Sequence, residues 1–156
     1  MKQKKEHFSV DRLSFQLGMI NCFVEMVACG VKKLALSPPL LPEDFEVVGP
    51  ASQKMVEEFG IKSYLEKNLL ITDLQAEEFT RNKWSLLYYK TDKILESYLE
   101  LKKKKRHLEK EGKYNKKARQ KISQEFMRLL SYPEEVIQEK LNQKSARSPY
   151  MLIKEE

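Results

Sequence analysis

The chain has 156 residues, of which 41% are hydrophobic and 33% are charged, and this length and balance fit one globular domain with an ordinary core. Its 29 basic and 23 acidic side chains give a formal net charge of +6. With only two cysteines and two histidines, no metal-ligand spacing exists, so no metal site is predicted.

The first predicted element is a helix over roughly Asp11–Cys29. The stretch FQLGMINCFVEMVAC within it is apolar around most of its circumference, which predicts a helix buried on several sides and covered by the C-terminal half of the chain. This stretch is too short and too polar to span a bilayer, and no signal peptide is recognised before it. No membrane interaction is therefore predicted.

Both cysteines lie on this first helix. Cys22 and Cys29 are seven residues apart, which places them about 10 Å apart along the helix axis and beyond the reach of a disulfide. Two buried free thiols are typical of a reducing compartment. The sequence therefore predicts a cytoplasmic protein with two inert thiols in its core.

Glycines mark the ends of helices in the next part of the chain. Gly30 and Gly60 each close a helix-like run and precede a short apolar run, VKKLALS and IKSYL, which is typical of a helix followed by a strand. Between them, a proline-rich connection leads into a short predicted helix over Ala51–Phe59.

Two further apolar runs predict two more strands. The first is Leu69–Leu74, reached through a hairpin turn at Lys67-Asn68, and the second is Trp84–Tyr89; aromatic and branched residues favour extended structure in both. The first ninety residues therefore predict a small sheet of three or four strands, covered by helices that include a buried N-terminal helix.

From Thr91 onward the pattern is helical. Apolar residues at alternating spacings of four and three predict one helix that ends at Gly112, and Asn115 is a suitable N-cap for the next. Pro133 is placed to begin a third helix. The predicted fold is a single α/β (or α+β) domain over residues 1–156, with an α/β part over 8–90, a helical part over 91–144 and a tail over 145–156.

The predicted helical hairpin carries a strongly basic tip. Lys102–Lys121 contains eleven basic residues and two glutamates, whereas residues 1–90 carry equal numbers of acids and bases. Such local basicity steers polyanions to one surface and binds phosphates. The candidate anion-binding residues lie off the apolar stripe of the hairpin and comprise Lys102, Lys103, Lys104, Arg106, Lys116, Lys117 and Arg119.

A solvated hairpin surface is the competing interpretation of the same residues. Lysine outnumbers arginine, so bidentate recognition of phosphate is sparse. Tyr114 is the one aromatic residue close to the charges, so a stacking platform for single-stranded nucleic acid is missing. Charge runs of this kind also serve only to keep a surface hydrated.

A second candidate site lies at the predicted strand ends. Ser37, Asp73 and Lys90 follow predicted strands and would converge on a small polar ligand if the strands were parallel. Glu25 is added because a carboxylate in an apolar helix is a candidate general acid, although Glu25 also belongs to a polar stripe that would face water. No glycine-rich nucleotide loop follows any strand, so no cofactor is predicted.

The sequence thus supports hypotheses from different functional classes. The first is a soluble binding protein without catalytic activity, whose basic tip engages an anionic partner such as nucleic acid or an acidic protein surface. The alternative is a small-ligand protein or enzyme that works at the strand ends. A third is a homo-oligomer formed through exposed apolar residues of the hairpin, such as Leu108. Whether the chain is an enzyme stays open at this point.

Overall fold

The structure is a computed structural model that describes residues 8–74, 77–142 and 153–155. It confirms the predicted α/β (or α+β) fold, with a small sheet, a buried N-terminal helix, and a C-terminal hairpin followed by one further helix. Within the described ranges the elements are β1 Phe8–Val10, α1 Arg12–Ala28, β2 Leu34–Leu36, α2 Phe45–Phe59, β3 Lys62–Glu66, β4 Ser85–Tyr89, α3 Asp92–Lys110, α4 Lys116–Leu129, α5 Glu134–Leu141 and β5 Ile153–Glu155.

The central sheet has three strands in the order β2-β4-β3, and both pairings are antiparallel. Leu36 lies opposite Leu87, and Tyr64 lies opposite the same residue on the other side of β4. The central strand β4 is buried along its whole length, as expected for a strand with neighbours on both sides and helices on both faces. β1 and β5 pair separately, in parallel.

Helices cover the two faces of the sheet as two separate layers. Alternate residues of a strand point to opposite faces, so β4 contributes Tyr88 to one core and Leu87 to the other. The first core joins Tyr88 to α1 and α2, and the second joins Leu87 to α3 and α4. The C-terminal hairpin therefore does not cover the outer side of α1, because the sheet separates the two layers.

This layering makes the prediction of two buried thiols wrong. Cys22 and Cys29 are both exposed, because the inner side of α1 is formed by Ile20, Val24 and Val27, which are fully buried against the sheet and α2. The apolar residues of α1 extended around the helix in sequence, but only one side of it meets the rest of the core.

Local signals placed the helix ends correctly. The side chain of Asn115 accepts a hydrogen bond from the Ala118 N–H (2.9 Å), which confirms it as the N-cap of α4. Gly112 takes a left-handed conformation with φ of +66°, after the C-cap residue Glu111 that ends α3, a backbone geometry that residues with a Cβ adopt only at a cost.

Helix α2 begins six residues earlier than predicted. The proline-rich segment suggested an irregular connection up to Pro50, but Pro50 lies inside the helix, where it lacks the N–H of a normal helical hydrogen bond. The apolar residues before it offset this cost, because Val48 is fully buried and the ring of Phe45 packs edge-on against Trp84, with ring centroids 5.6 Å apart.

The predicted strand Leu69–Leu74 is irregular, and Lys67-Asn68 does not form a hairpin turn. β3 pairs with β4 instead, and side chains of the hairpin take the place of a strand neighbour for this segment. The Leu70 N–H donates to the Tyr98 hydroxyl (3.1 Å), and the Asp73 N–H donates to the Ser123 hydroxyl (3.0 Å). These bonds satisfy buried backbone groups without a sheet.

Two further predictions are tested only in part. The tail predicted over 145–156 falls largely outside the described residues, apart from β5. None of the helices in the described ranges combines the length and apolar character that crossing a membrane requires.

Candidate functional site

The basic residues of the hairpin divide into two sets according to the side of the helices on which they lie. Helices α3 and α4 pack together through Tyr98, Leu101, Ile122 and Phe126, which all contact the second core. Some basic side chains bond to the end of β3 or to the loop over residues 67–74, and others face solvent. The basic residues of the hairpin therefore do not all share one role.

Lys102 belongs to the inner set. Its Nζ donates to the Glu66 carboxylate (2.6 Å) and to the Asn68 carbonyl (2.6 Å). Glu66 is 5% exposed and also accepts hydrogen bonds from the Tyr98 hydroxyl (2.9 Å) and the Asn68 N–H (2.9 Å). Burial raises the pKa of Tyr98, and the neighbouring Glu66 raises it further. Lys102 is therefore the cation of a buried network that attaches the end of β3 to α3.

Two other predicted anion-binding residues are also engaged within the protein. Lys104 forms an ion pair with Glu125 (2.8 Å), and Arg119 forms one with Asp73 (3.1 Å). The two glutamates of the tip, by contrast, are taken by other lysines: Glu109 pairs with Lys105, and Glu111 with Lys113. Both glutamates of the tip are thus engaged in ion pairs with other cations of the tip.

The outer set forms a surface that we call the basic face. All of its side chains are exposed, and within the described part of the chain none of them has an ion pair. Its members are Lys103, Arg106 and Lys110 on α3, and Lys116, Lys117 and Lys121 on α4. Four of them, Lys103, Arg106, Lys116 and Lys117, were predicted from the sequence as anion-binding residues.

The spacing within the basic face follows the helical repeat. Lys103, Arg106 and Lys110 lie at i, i+3 and i+7, so they share one side of α3 over about 10 Å of helix length. Lys117 and Lys121 lie at i and i+4 on the solvent side of α4. In both helices these residues lie off the apolar side that meets the second core, so all six cations are on the exposed surface of the hairpin.

The first turn of α4 adds a further electrostatic feature to the basic face. It contains Lys116 and Lys117 and no acidic residue, although the N-terminus of a helix is the positive end of its dipole and favours anions. Two lysines there raise the local positive potential. An anion placed beside this turn would meet the two lysines and the helix dipole together.

The four predicted strand-end residues do not lie together. The Ser37 hydroxyl is buried at one end of the sheet, where it donates to the Pro38 carbonyl (3.0 Å) and accepts from the Leu86 N–H (2.8 Å). Lys90 follows β4 at the opposite end, where it donates to the Ala28 carbonyl (2.9 Å). The antiparallel order of the strands separates these two residues.

The other two members of that set are also apart. Glu25 is exposed on α1, on the side of the sheet opposite the hairpin, which agrees with the interpretation of it as part of a solvated polar stripe. Asp73 contacts Ser123 and Arg119 in the hairpin layer. The alternative site therefore lacks the convergence that its chemistry would need.

A cleft of about 610 Å³ lies near the Ser37 end of the sheet. Its lining includes Lys67, Trp84 and Arg81, but these side chains already interact within the protein. The Lys67 Nζ lies 4.6 Å from the centroid of the Trp84 ring, and Arg81 pairs with Glu77 at 3.6 Å. No group in this cleft combines burial with an open acceptor or donor that would indicate a ligand.

The sequence predicted Leu108 as an exposed apolar contact between copies of the chain. It is partly buried and packs against the second core, so it leaves no apolar patch at the tip of the hairpin.

Comparison of the chain with models of known protein families, with curated proteins and with solved structures gave no match.

Sequence reasoning missed Lys110 and Lys121 as members of the basic face. Both continue the helical spacing of residues that were selected, Lys110 from Lys103 and Arg106, and Lys121 from Lys117. A helical-wheel projection of α3 and α4 would have found them. It would also have separated Lys102 from Lys103, which differ by 100° around the helix.

Proposed function

We propose that this protein is a non-catalytic binding protein that holds the phosphate backbone of nucleic acid on its basic face. The single observation that carries the proposal is the concentration, on the hairpin of α3 and α4, of six exposed cations without ion pairs to any described residue. An isolated exposed lysine indicates nothing, but six within one short hairpin create a field that attracts a polyanion.

The composition of the basic face favours contact with the backbone over recognition of bases. It contains five lysines and one arginine and no aromatic side chain, so neither bidentate base contacts nor base stacking is provided. Lysines act as point charges toward phosphates. Binding is therefore expected to be independent of sequence and to favour the duplex, whose phosphates are close together and regularly spaced.

The experiment that tests this proposal measures binding of a labelled duplex DNA by fluorescence anisotropy over a series of salt concentrations. The test variant changes Lys103, Arg106, Lys117 and Lys121 to Gln. Because each lost phosphate contact lowers the slope of log K against log salt by about 0.9, the slope is expected to fall by about 3 to 4 in this variant.

A second variant separates the basic face from net charge. Changing Lys33, Lys54, Lys83 and Lys93 to Gln removes the same four charges from the formal net charge of +6, but at positions outside the basic face. This variant is expected to bind nearly as tightly as the unmodified protein. Equal losses in the two variants would contradict the proposal, since attraction would then depend on total charge.

If the duplex does not bind, the alternative partner is an acidic protein surface, which the same anisotropy assay tests with a labelled acidic polypeptide. In that case the unmodified protein would show no anisotropy change at any salt concentration and would bind an acidic polypeptide such as polyglutamate instead. That result would overturn the assignment to nucleic acid.

A further inference from the structure

The strand β3 forms an open edge of the central sheet. Among the described strands, β4 is the one that pairs with β3. The other edge strand, β2, is different, because the chain next to it bonds to the turn between α4 and α5: the Lys33 N–H donates to the Ser131 hydroxyl (2.8 Å), and Lys32 Nζ donates to the Leu130 carbonyl (2.8 Å). An open edge carries backbone groups that can pair with another strand.

The pairing with β4 determines which backbone groups of β3 point outward. Leu86 donates its N–H to the Ser37 hydroxyl and accepts the Ser37 N–H, both at 2.8 Å, so its backbone groups point toward β2. Leu86 lies opposite Leu65, which is therefore in a non-hydrogen-bonded pair. The N–H and C=O of Leu65, and those of Ser63 two residues earlier, point away from β4.

Helix α3 runs beside this edge in a defined register. Its residue Asp92 binds Lys62 at the start of β3 (2.8 Å), and Lys102 binds Glu66 at the end of β3 (2.6 Å). The spacing of ten residues corresponds to about 15 Å of helix, close to the length of β3. Leu99 lies on the same side of α3 as these two residues, at i+7 from Asp92, so it lies about two thirds of the way along the strand toward Glu66.

An apolar patch is exposed at the middle of this edge. Tyr64, the central residue of β3, is 37% exposed, and Leu99 is also 37% exposed. Edge strands of monomeric proteins are commonly protected by a charge or a proline at their centre. Here the charges of β3 lie at its two ends, and the centre is aromatic.

We propose that two copies of this chain pair through β3, antiparallel about a two-fold axis at Tyr64, to form a continuous six-stranded sheet. The sequence of β3, KSYLE, is complementary to itself in this register. Ser63 of one copy would exchange backbone hydrogen bonds with Leu65 of the other, and these are the residues whose backbone groups point outward.

The same register satisfies the side chains of the dimer. Lys62 lies opposite Glu66 of the second copy, so no like charges face each other at either end of the interface, and the two Tyr64 rings meet at the centre. Leu99 of each copy covers this aromatic contact from the helical layer. The proposal does not depend on the nucleic-acid hypothesis, because it is argued from the backbone pairing and side chains of β3; Lys103 and Arg106, at i+4 and i+7 from Leu99, lie beside the contact and add no pairing to it.

The first test is the mass in solution, measured by light scattering after chromatography of nuclease-treated protein over a range of concentrations. The expected mass is twice the chain mass of 18.4 kDa. Tyr64→Lys places two like charges directly opposite each other and is expected to give the mass of one chain. Val47→Lys, which changes a residue that is 53% exposed on α2, is the matched control and is expected to leave the dimer intact.

The second test examines the register and does not depend on a loss of assembly. In a protein with Cys22 and Cys29 changed to Ser, Tyr64→Cys is expected to form a disulfide between copies on mild oxidation, because residues opposite each other in a non-hydrogen-bonded pair lie within disulfide distance. Val47→Cys in the same background is expected to remain unlinked. A single-chain mass for the unmodified protein at every concentration, a dimer that persists in Tyr64→Lys, or equal cross-linking at both positions would each overturn the proposal.

Discussion

Replacing Lys102 with methionine is expected to lower the free energy of unfolding by about 3 kcal/mol, whereas the same replacement at Lys103 is expected to change it by less than about 0.5 kcal/mol. Lys102 supplies the positive charge next to the buried Glu66 carboxylate. Without it, that carboxylate, which is 5% exposed, loses its counter-charge. The measurement is urea unfolding of both variants. Equal slopes of the unfolding free energy against urea concentration show that the variants expose the same surface on unfolding.

A double variant tests the cause of this loss. When Glu66→Gln is combined with Lys102→Met, the buried charge is gone; the amide oxygen can still accept the Asn68 N–H, and the amide NH2 can donate to the Tyr98 hydroxyl oxygen. Removing both charges of a buried pair costs much less than removing one, so the double variant is expected to recover most of the lost stability. Similar small losses at Lys102 and Lys103 would show that the ion pair contributes little.

The different roles of Lys102 and Lys103 show how much of the basic hairpin could be predicted from the sequence. The charge density of the hairpin tip is visible in the sequence, and so is the helical repeat that sorts its residues by side. The role of Lys102 depends on Glu66, which is 36 residues away, and on the packing of β3 against α3. A local pattern carries no information about such a distant partner.

The same distinction applies to the fold. The N-cap at Asn115, the turn at Gly112 and the strand around Tyr88 were predicted because each depends on chemistry within a few residues. The segment Leu69–Leu74 has the composition of a strand but pairs with no strand, since hydroxyl groups of Tyr98 and Ser123 satisfy its backbone. Composition indicates that a segment is buried, and tertiary packing determines how its backbone is satisfied.

The directions of β2 and β4 determine whether the predicted strand-end site can form. Sequence reasoning could place Ser37 and Lys90 at strand ends but could not determine whether β2 and β4 run in the same direction. Because they are antiparallel, the two residues lie at opposite ends of the sheet. The hydrophobic pattern predicts that a strand exists, and its pairing direction depends on the connections between all three strands.

Alkaline pH is expected to destabilise the protein steeply above about pH 10, through two buried tyrosines on opposite faces of the sheet. Burial raises the pKa of Tyr88 and of Tyr98 above the ordinary value, so the folded state keeps the neutral phenol. The unfolded chain ionises near pH 10, and stability that is intact below this pH is lost as the pH rises. Each group contributes about 1.4 kcal/mol per pH unit, or about 2.7 kcal/mol per unit together.

The contribution of Tyr88 can be isolated by removing it together with its partner. Its hydroxyl shares a buried hydrogen bond of 2.8 Å with Ser52, so Tyr88→Phe combined with Ser52→Ala leaves no unsatisfied group and is expected to cost little at neutral pH. Urea unfolding from about pH 9 to about pH 11 should then show a loss per pH unit that is smaller by about 1.4 kcal/mol in the double variant. Deprotonation of lysines occurs in both proteins and does not affect the difference. Identical pH dependences would contradict the assignment, because the alkaline loss would then come from groups other than Tyr88.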